Sequence, residues 1–237
     1  MSVIAEHPDG WLILSEPGDP TAEWLKVGLA QRGLSSCLVT TCDLIKGANW
    51  VHSVSADGGR TSFRIEGGQL FSSDGFRHAL SLISYLPPRP VETFVAQDRE
   101  YASQEWIAFI VSALAAVPNW VNPIGPGGIG GRYHSGFEWI LLAHEVGLLC
   151  DGDDNLRPAP ANPVTREVLV FRGHVFSYGV PTIIAHRVCE LFSLAEIQLG
   201  GARFRVNGRR WRFVDATGTP ECMAGGSAFL DALAELR

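Results

Sequence analysis

The residues whose types and spacing could do chemistry gather in the last third of the chain and in one glycine-rich segment before it. Asn207-Gly208 separates two β-rich runs, Ile197–Val206 and Arg209–Val214. An Asn-Gly pair in that setting is the strongest short hairpin signal. This hairpin carries Arg203, Arg205, Arg209, Arg210 and Arg212, a local basic patch in a chain of net negative charge. Alternation puts Arg203 and Arg205 on one face, where they line the solvated side of a sheet. Asp215 and Glu221 follow and can meet Arg203 or Arg212 as ion pairs across the hairpin, supporting register or a partner contact.

The second candidate is Pro123–Arg132, PIGPGGIGGR, with Gly127, Gly128, Gly130 and Gly131. Backbone amides in a glycine run ahead of a helix can cradle an anion. Ser135 is placed to cap such a helix over Gly136–Val146. No Gly-Lys-Ser/Thr follows, so the run is not a P-loop, and its plainer reading is a hinge. His134, His144, His174 and His186 invite a metal or acid–base reading. They form no His-Glu-x-x-His pattern, and His144-Glu145 lacks a second histidine one turn on. His186 and Cys189 stand three apart on a predicted helix, which brings an imidazole near a thiol. Cys222 precedes the final predicted helix, where a thiol can acidify. It is the best candidate for a reactive cysteine, against the alternative of a buried structural thiol.

The elements that must position these groups come from a chain of 237 residues, long enough for one large domain or two small ones and for a core without disulfides. Apolar residues make up 46% and charged residues 19%, so part of the surface is expected to lie under a partner. A net charge of −6 argues against a binder of nucleic-acid backbone. Cys37, Cys42, Cys150, Cys189 and Cys222 have neither redox-pair nor zinc spacing, and an odd, scattered set suits a reducing compartment. The start, MSVIAEHPDG, shows no signal pattern, and no apolar run reaches bilayer length. The expectation is a cytoplasmic protein that binds neither membrane nor nucleic acid.

Trp11–Ser15, a helix over Ala22–Gln31 and Ser36–Thr40 make a β-α-β opening, which implies a parallel sheet with covering helices. The intervening EPGDPT loop does not fit a dinucleotide fingerprint. On the first helix Leu25, Val27, Leu29 and Ala30 are expected to face inward. Val51–Val54 and Thr61–Ile65 read as a hairpin around Asp57-Gly58-Gly59, with Gln69–Ser72 as a further strand after Gly67-Gly68. Asp74–Tyr85 reads as a helix stopped by Pro87, Pro88 and Pro90. Tyr101–Val117 is the longest helical pattern, with Trp106, Phe109, Ile110, Leu114 and Val117 on its buried side. Trp120-Val121 returns to the sheet edge, and Pro123 holds Asn122 extended. Gly152–Pro163 reads as an irregular connection. Arg166–Phe171 with His174–Ser177 forms a second hairpin, Pro181–Leu191 a helix, and Ala224–Leu236 the last helix.

In this order the residues resemble the ATP-grasp superfamily, and most nearly the ligases that modify ribosomally made peptides by joining carboxylates to hydroxyls or amines. Glu105, Trp120, Asn122 and Pro123 look like the helix glutamate and the tryptophan–x–asparagine–proline turn that end the pre-ATP-grasp domain. Ala143-His144-Glu145-Val146-Gly147 is similar to the entry helix of the nucleotide domain. Arg166–Phe171 with Arg172-Gly173-His174-Val175-Phe176, then Gly200–Phe204, then Phe213–Pro220 resemble its closing strands.

The resemblance implies an α/β fold: an N-terminal mainly parallel sheet with covering helices over residues 1–123, then a glycine-rich hinge, helix and linker over 124–165. A smaller, truncated α+β ATP-grasp remnant would span 166–237. It also implies where the chain departs. The first metal aspartate falls at Arg203, the glutamate at Asp215 and the asparagine at Thr217. The two phosphate-gripping lysines have no counterpart, because no lysine follows Lys46. The 18 residues Leu148–Thr165 are too few for a nucleotide-clamping subdomain. A non-catalytic binding or accessory protein is therefore expected, a pseudoenzyme serving peptide or protein modification, with no cofactor, a peptide or protein partner, and a possible homodimer as the rival use of a sheet edge. The alternative is an atypical ATP- and magnesium-dependent carboxylate ligase. It would use Asp215 for metal, Arg203 or Arg212 for phosphate, and the Gly127, Gly128, Gly130 and Gly131 loop for backbone contacts.

Overall fold

Five consecutive residues of WLILS are buried, a pattern that suits a strand covered on both faces rather than one. This is β1 (Trp11–Ser15), and the first unit is built around it. Residues 10–56, 58–65, 68–86, 95–125, 128–150 and 164–236 are described by the computed structural model. They divide into two units, Met1–Gly131 and Arg132–Arg237. The start MSVIAEHPD, Asp57, Gly67, the Pro87, Pro88 and Pro90 stop, Gly127 and the Gly152–Pro163 connection lie outside the described residues.

In the first unit, Asp19 accepts from the Thr21 amide at 2.8 Å and starts α1 (Pro20–Ala30), with proline at the first helical position where its missing N–H costs nothing. Leu25 and Leu29 are buried as expected, but Val27 is 55% exposed and Ala30 also faces out. The inward stripe is narrower than expected and follows the 21, 22, 25, 28, 29 spacing. β2 (Ser36–Thr40) runs into α2 (Thr41–Lys46), a helix not anticipated from the sequence. Six residues carry too little periodicity to show, although Thr40 and Asp43 form a full capping box. β3 (Ala48–Ser55), β4 (Gly58–Arg64) and β5 (Leu70–Ser72) form an antiparallel sheet.

The expected helix over Asp74–Tyr85 is not formed. A single 3-10 turn at Ser73–Gly75 leads into β6 (His78–Ser81), whose four residues are all buried. A short apolar run carries the same composition in a buried strand as in a helix, and here the place beside β1 decided it. β1 lies between β2 and β6, parallel to both, with Ile13 opposite Leu38 and Leu80. α3 (Arg99–Ala115) follows, and the chain returns to the sheet as expected. Trp120 bridges Ala79 in parallel, and the Val121 amide donates to the Ala79 carbonyl at 2.8 Å.

α3 is fastened to the antiparallel sheet by packing and by a polar stitch. Trp50 stacks on Phe63 at 3.8 Å and meets Trp106 and Phe109 edge-on. His52 Nδ1 lies 2.7 Å from Thr61 Oγ1, and its Nε2 lies 3.0 Å from Ser112 Oγ on α3. The parallel sheet, the antiparallel sheet and α3 share one core through Leu12, Leu14, Phe63, Phe71, Phe76, Ile110 and Leu114.

The second unit is α+β, as expected. α4 (Gly136–Glu145) begins at Ser135, whose hydroxyl accepts from the Glu138 amide while the Glu138 carboxylate accepts from the Ser135 amide. β7 (Val164–Phe171), β8 (His174–Val175), α5 (Thr182–Leu194), β9 (Leu199–Asn207) and β10 (Arg210–Thr217) follow. The final helix is shorter than expected: a 3-10 turn over Cys222–Gly225 precedes α6 (Gly226–Ala234). The sheet order is β10-β9-β7-β8. α4 and α5 cover one face through Trp139, Ala143, Val188, Phe192 and the strand residues Val168, Val170, Ala202, Phe204 and Phe213. Residues of opposite parity point to the other face. There Phe171 meets Phe229 of α6 edge-on at 5.6 Å. Among the described residues no helix is long and apolar enough to cross a membrane.

Two predictions follow from this packing. A Cβ added at Gly200 would overlap the Phe192 ring, so Gly200→Ala is expected to destabilise the second unit by about 1–3 kcal/mol or more, read from denaturant unfolding. Its hydrogen bonds from Ser135 hold the Glu138 carboxyl below its ordinary value of 4.5. Its contribution to stability is therefore present above the unfolded value and lost as pH falls through the lower folded one. Melting curves of wild type and Glu138→Gln are expected to differ at neutral pH and to converge in acid.

Candidate functional site

The hairpin of β9 and β10 places the arginines and Asp215 through one irregularity. Up to Phe213 opposite Phe204 the register is regular. Beyond it a bulge sets Asp215 opposite Arg203. Without the extra residue, Val214 would face Arg203, and Asp215 would sit one residue further along on the opposite face. The bulge thus delivers the ion pair expected across the hairpin. Arg203 Nε donates to Asp215 Oδ1 at 2.6 Å, and a terminal guanidinium nitrogen donates to Oδ2. This bidentate fork is the strongest geometry an arginine and a carboxylate adopt. The hydrogen bonds donated to Asp215, the Asp215 charge and the Glu167 charge push Arg203 further above its ordinary range.

On the other side of β9, Arg203 stands opposite Glu167 of β7. Three strands therefore carry a transverse row: acid, base, acid. Glu167 was not singled out in the sequence, because strand alternation ranks no charged residue above another until register is known. Its Oε1 accepts from the Glu221 amide at 3.1 Å. Beside it Gly201 has no room for a side chain, since an added Cβ would overlap the Glu167 carboxylate and come within 2.8 Å of Pro220. Thr217 lies at the end of the hairpin, where its hydroxyl meets Thr219 Oγ1 at 3.1 Å and accepts from the Thr219 amide. Arg212 stands opposite Arg205 and donates to the Cys150 carbonyl at 3.2 Å.

These residues do not fit a magnesium ion. Magnesium takes several hard oxygen donors in near-octahedral array. Here both Asp215 oxygens receive guanidinium N–H groups, Glu167 receives a backbone amide, and the position resembling the metal asparagine is a threonine turned to its neighbour. Among the described residues no group of three or more His, Cys, Asp or Glu side chains converges.

The glycine run lies in the first unit as far as Gly131. Gly128 exchanges amide and carbonyl hydrogen bonds with Gly125 at 3.0 and 3.2 Å, so its N–H is already engaged. Asn122 Nδ2 donates to the Gly130 carbonyl at 3.3 Å. Gly131 has φ +107°, and a Cβ there would come within 2.8 Å of the Asn122 Cβ. Gly130 and Gly131 are thus folded back against the turn residue Asn122, which is itself buried. The same unit holds an open cavity of about 860 Å³ against α3, lined mainly by Leu86, Ile107, Val111, Ala115, Ile124 and Ile129. Its sequence signal is the apolar run through Ile107 and Val111, which gives α3 a second apolar side beyond the one packed in the core.

The remaining candidates are dispersed. His134 Nε2 lies 3.0 Å from the Ala195 carbonyl, and its ring packs on Trp139. His144 sits in the last turn of α4, and His174 opens β8. His186 pairs with Glu190 at 3.4 Å, while the Cys189 thiol points to the Gly173 carbonyl at 3.1 Å; burial raises that thiol's pKa. Cys222 is fully buried, its Sγ 3.5 Å from the Pro220 carbonyl.

The chain matches no sequence-family model, and no curated protein matches it by sequence. Solved structures match along nearly their whole length. An ATP-grasp ligase associated with ribosomally made peptides from Chryseobacterium gregarium, in complex with ADP and a leader and core peptide, superposes with TM-score 0.71 at 9% identity, covering 97% of each chain. The macrocyclase MdnB from Microcystis aeruginosa MRC gives TM-score 0.69 at 13% identity, over 96% of this chain and 98% of the other. The macrocyclase MdnC of the same organism, bound with precursor peptide MdnA, gives 0.67 at 11%, over 89% and 92%. Identities this low speak for the fold alone. The chain carries the fold of the ATP-grasp peptide ligases, with a pre-ATP-grasp-like first unit followed by a smaller α+β unit.

Proposed function

We propose that this chain binds a peptide or protein on an ATP-grasp-type scaffold, as an accessory to peptide or protein modification, and does not itself drive ligation with ATP. The observation that carries the reading is the Arg203–Asp215 fork: the acidic group best placed to hold a metal is already held by a cation of the chain itself. Phosphoryl activation needs metal and positive groups in place together. Peptide complexes among proteins of the same fold support the partner class. β3 supports a mode of contact. It is an edge strand with Val51 61% and Val54 75% exposed, and an extended peptide can add to such an edge through backbone hydrogen bonds. A second copy of the chain is the rival occupant.

The second reading is an ATP- and magnesium-dependent carboxylate ligase, with Asp215 for metal, Arg203 or Arg212 for phosphate and the glycine loop for backbone contacts. The end-to-end likeness to ligases, one of them holding ADP, favours this reading over the accessory one, while the donor chemistry around Arg203 opposes it.

Calorimetric titration with ATP and magnesium decides between the two. No tight binding is expected from wild type, alone or with its native partner. Binding that vanishes in Asp215→Ala, with the fold intact by circular dichroism, establishes the ligase reading instead. Sizing in solution and co-purification from the native cell test the partner: a strict monomer that retains nothing counts against the binding role.

A further inference from the structure

The open cavity against α3 lies in the first unit and plays no part in the peptide reading. From its walls we infer that it binds a small, neutral, apolar molecule carrying a carbonyl oxygen, such as an aromatic ketone, ester or amide. Its volume of about 860 Å³ suits a small-molecule site, which is a mostly apolar concavity with a few placed polar groups. Ile107, Val111 and Ala115, each one turn from the next on α3, form one wall. Among the described residues, none that lines the cavity carries a charge. An ionised head group would therefore lose its hydration with no counter-charge, whereas a neutral acceptor needs only one donor.

Ser112 supplies that donor, and the direction of its hydrogen bond is set from the core side. It lines the cavity, and its Oγ lies 3.0 Å from His52 Nε2. Strand register puts His52 opposite Thr61, with Nδ1 2.7 Å from Thr61 Oγ1, and Phe109 meets the imidazole edge-on. α3 is held close behind: a Cβ added at Gly59 would come within 3.1 Å of the Ala116 Cβ, one turn on from Ser112. Thr61 is buried, and among the described residues its hydroxyl meets His52 alone. A buried hydroxyl proton left without an acceptor is costly, so Thr61 donates to Nδ1. The imidazole then carries its proton on Nε2 and donates to Ser112 Oγ. Ser112 keeps its own proton for an acceptor in the cavity. This polarity is the reverse of a nucleophilic triad, in which the imidazole nitrogen facing the serine accepts. The arrangement therefore binds a carbonyl oxygen and does not attack the carbonyl carbon.

The probe is Prodan, a neutral naphthyl ketone whose emission shifts to the blue in apolar surroundings, titrated into the full chain. Saturable, blue-shifted emission is expected from wild type. It is expected to vanish in Ala108→Trp, which fills the cavity from the α3 wall at an exposed position and leaves the core untouched. Acetylnaphthalene is expected to displace Prodan at a roughly five- to tenfold lower concentration than ethylnaphthalene, which lacks the acceptor. Ser112→Ala is expected to erase that preference while ethylnaphthalene still binds, and Ser112→Thr to keep it. Equal weakening of both competitors by Ser112→Ala marks a merely structural serine and overturns the inference. If Ser112→Ala does not fold, the wild-type preference decides, and equal displacement by the two competitors overturns it. So does the absence of saturable Prodan binding, or binding that survives Ala108→Trp. A wild-type dimer that Ala108→Trp converts to monomer shows a second copy on this wall and overturns the small-molecule site.

Discussion

Side chains of a strand alternate between faces, so one additional residue moves every later side chain to the other side of the sheet. The bulge between Phe213 and Asp215 is that residue's work in β10. Before it, Trp211 and Phe213 pack into the core shared with α4 and α5. After it, Asp215 faces the open side and meets Arg203. The chain thus gains a buried hairpin and a charged surface row from the same two strands. Without the bulge, Asp215 would sit on the face of Ala202, which is fully buried in the apolar core, and a carboxylate there would lose its hydration with no cation opposite.

The rest of the second unit holds this arrangement rigidly. Gly200 and Gly201 are adjacent on β9 and point to opposite faces, and each is a glycine for a different reason. Gly200 admits the Phe192 ring from α5, while Gly201 admits the Glu167 carboxylate. Glycine inside a strand weakens it unless something approaches closely, and here two things do. The Glu167 bond to the Glu221 amide then ties the strand row to the turn that leads into α6. Packing on one face and polar contacts on the other are coupled through two residues without side chains.

The ion pair at the centre stabilises the fold only modestly. Both partners are partly open to water, and exposed pairs contribute on the order of 0.2–1 kcal/mol. Its importance is chemical. The Arg203 guanidinium engages both Asp215 oxygens and so withdraws them from any other cation. The first unit shows the same economy of polar groups: His52 bridges Thr61 and Ser112 to hold α3 on the antiparallel sheet, and Asn122 holds Gly130. A stitch of this kind positions elements, whereas the aromatic cluster of Trp50, Phe63, Trp106 and Phe109 supplies the apolar burial beneath it.

Local signals carried most of the elements. The Asn207-Gly208 turn, the Ser135 cap, the β-α-β opening and the return at Trp120 were all legible, because turn chemistry, caps and alternation act over a few residues. The order of weak motifs pointed to the ATP-grasp fold even though no sequence-family model and no curated protein matches the chain. What local pattern could not decide was anything set by neighbours distant in the chain. His78–Ser81 became a strand because β1 offered an unfilled edge, and α2 was too short for its periodicity to register. Glu167 entered the site only through the pairing of β7 with β9, and Asp215 only through the bulge in β10. The sequence by itself determined which residues carry charge and most of the segments that are strands. The tertiary structure decided which of those charges meet, because strand register is a property of two segments at once, and one residue of slip exchanges the faces.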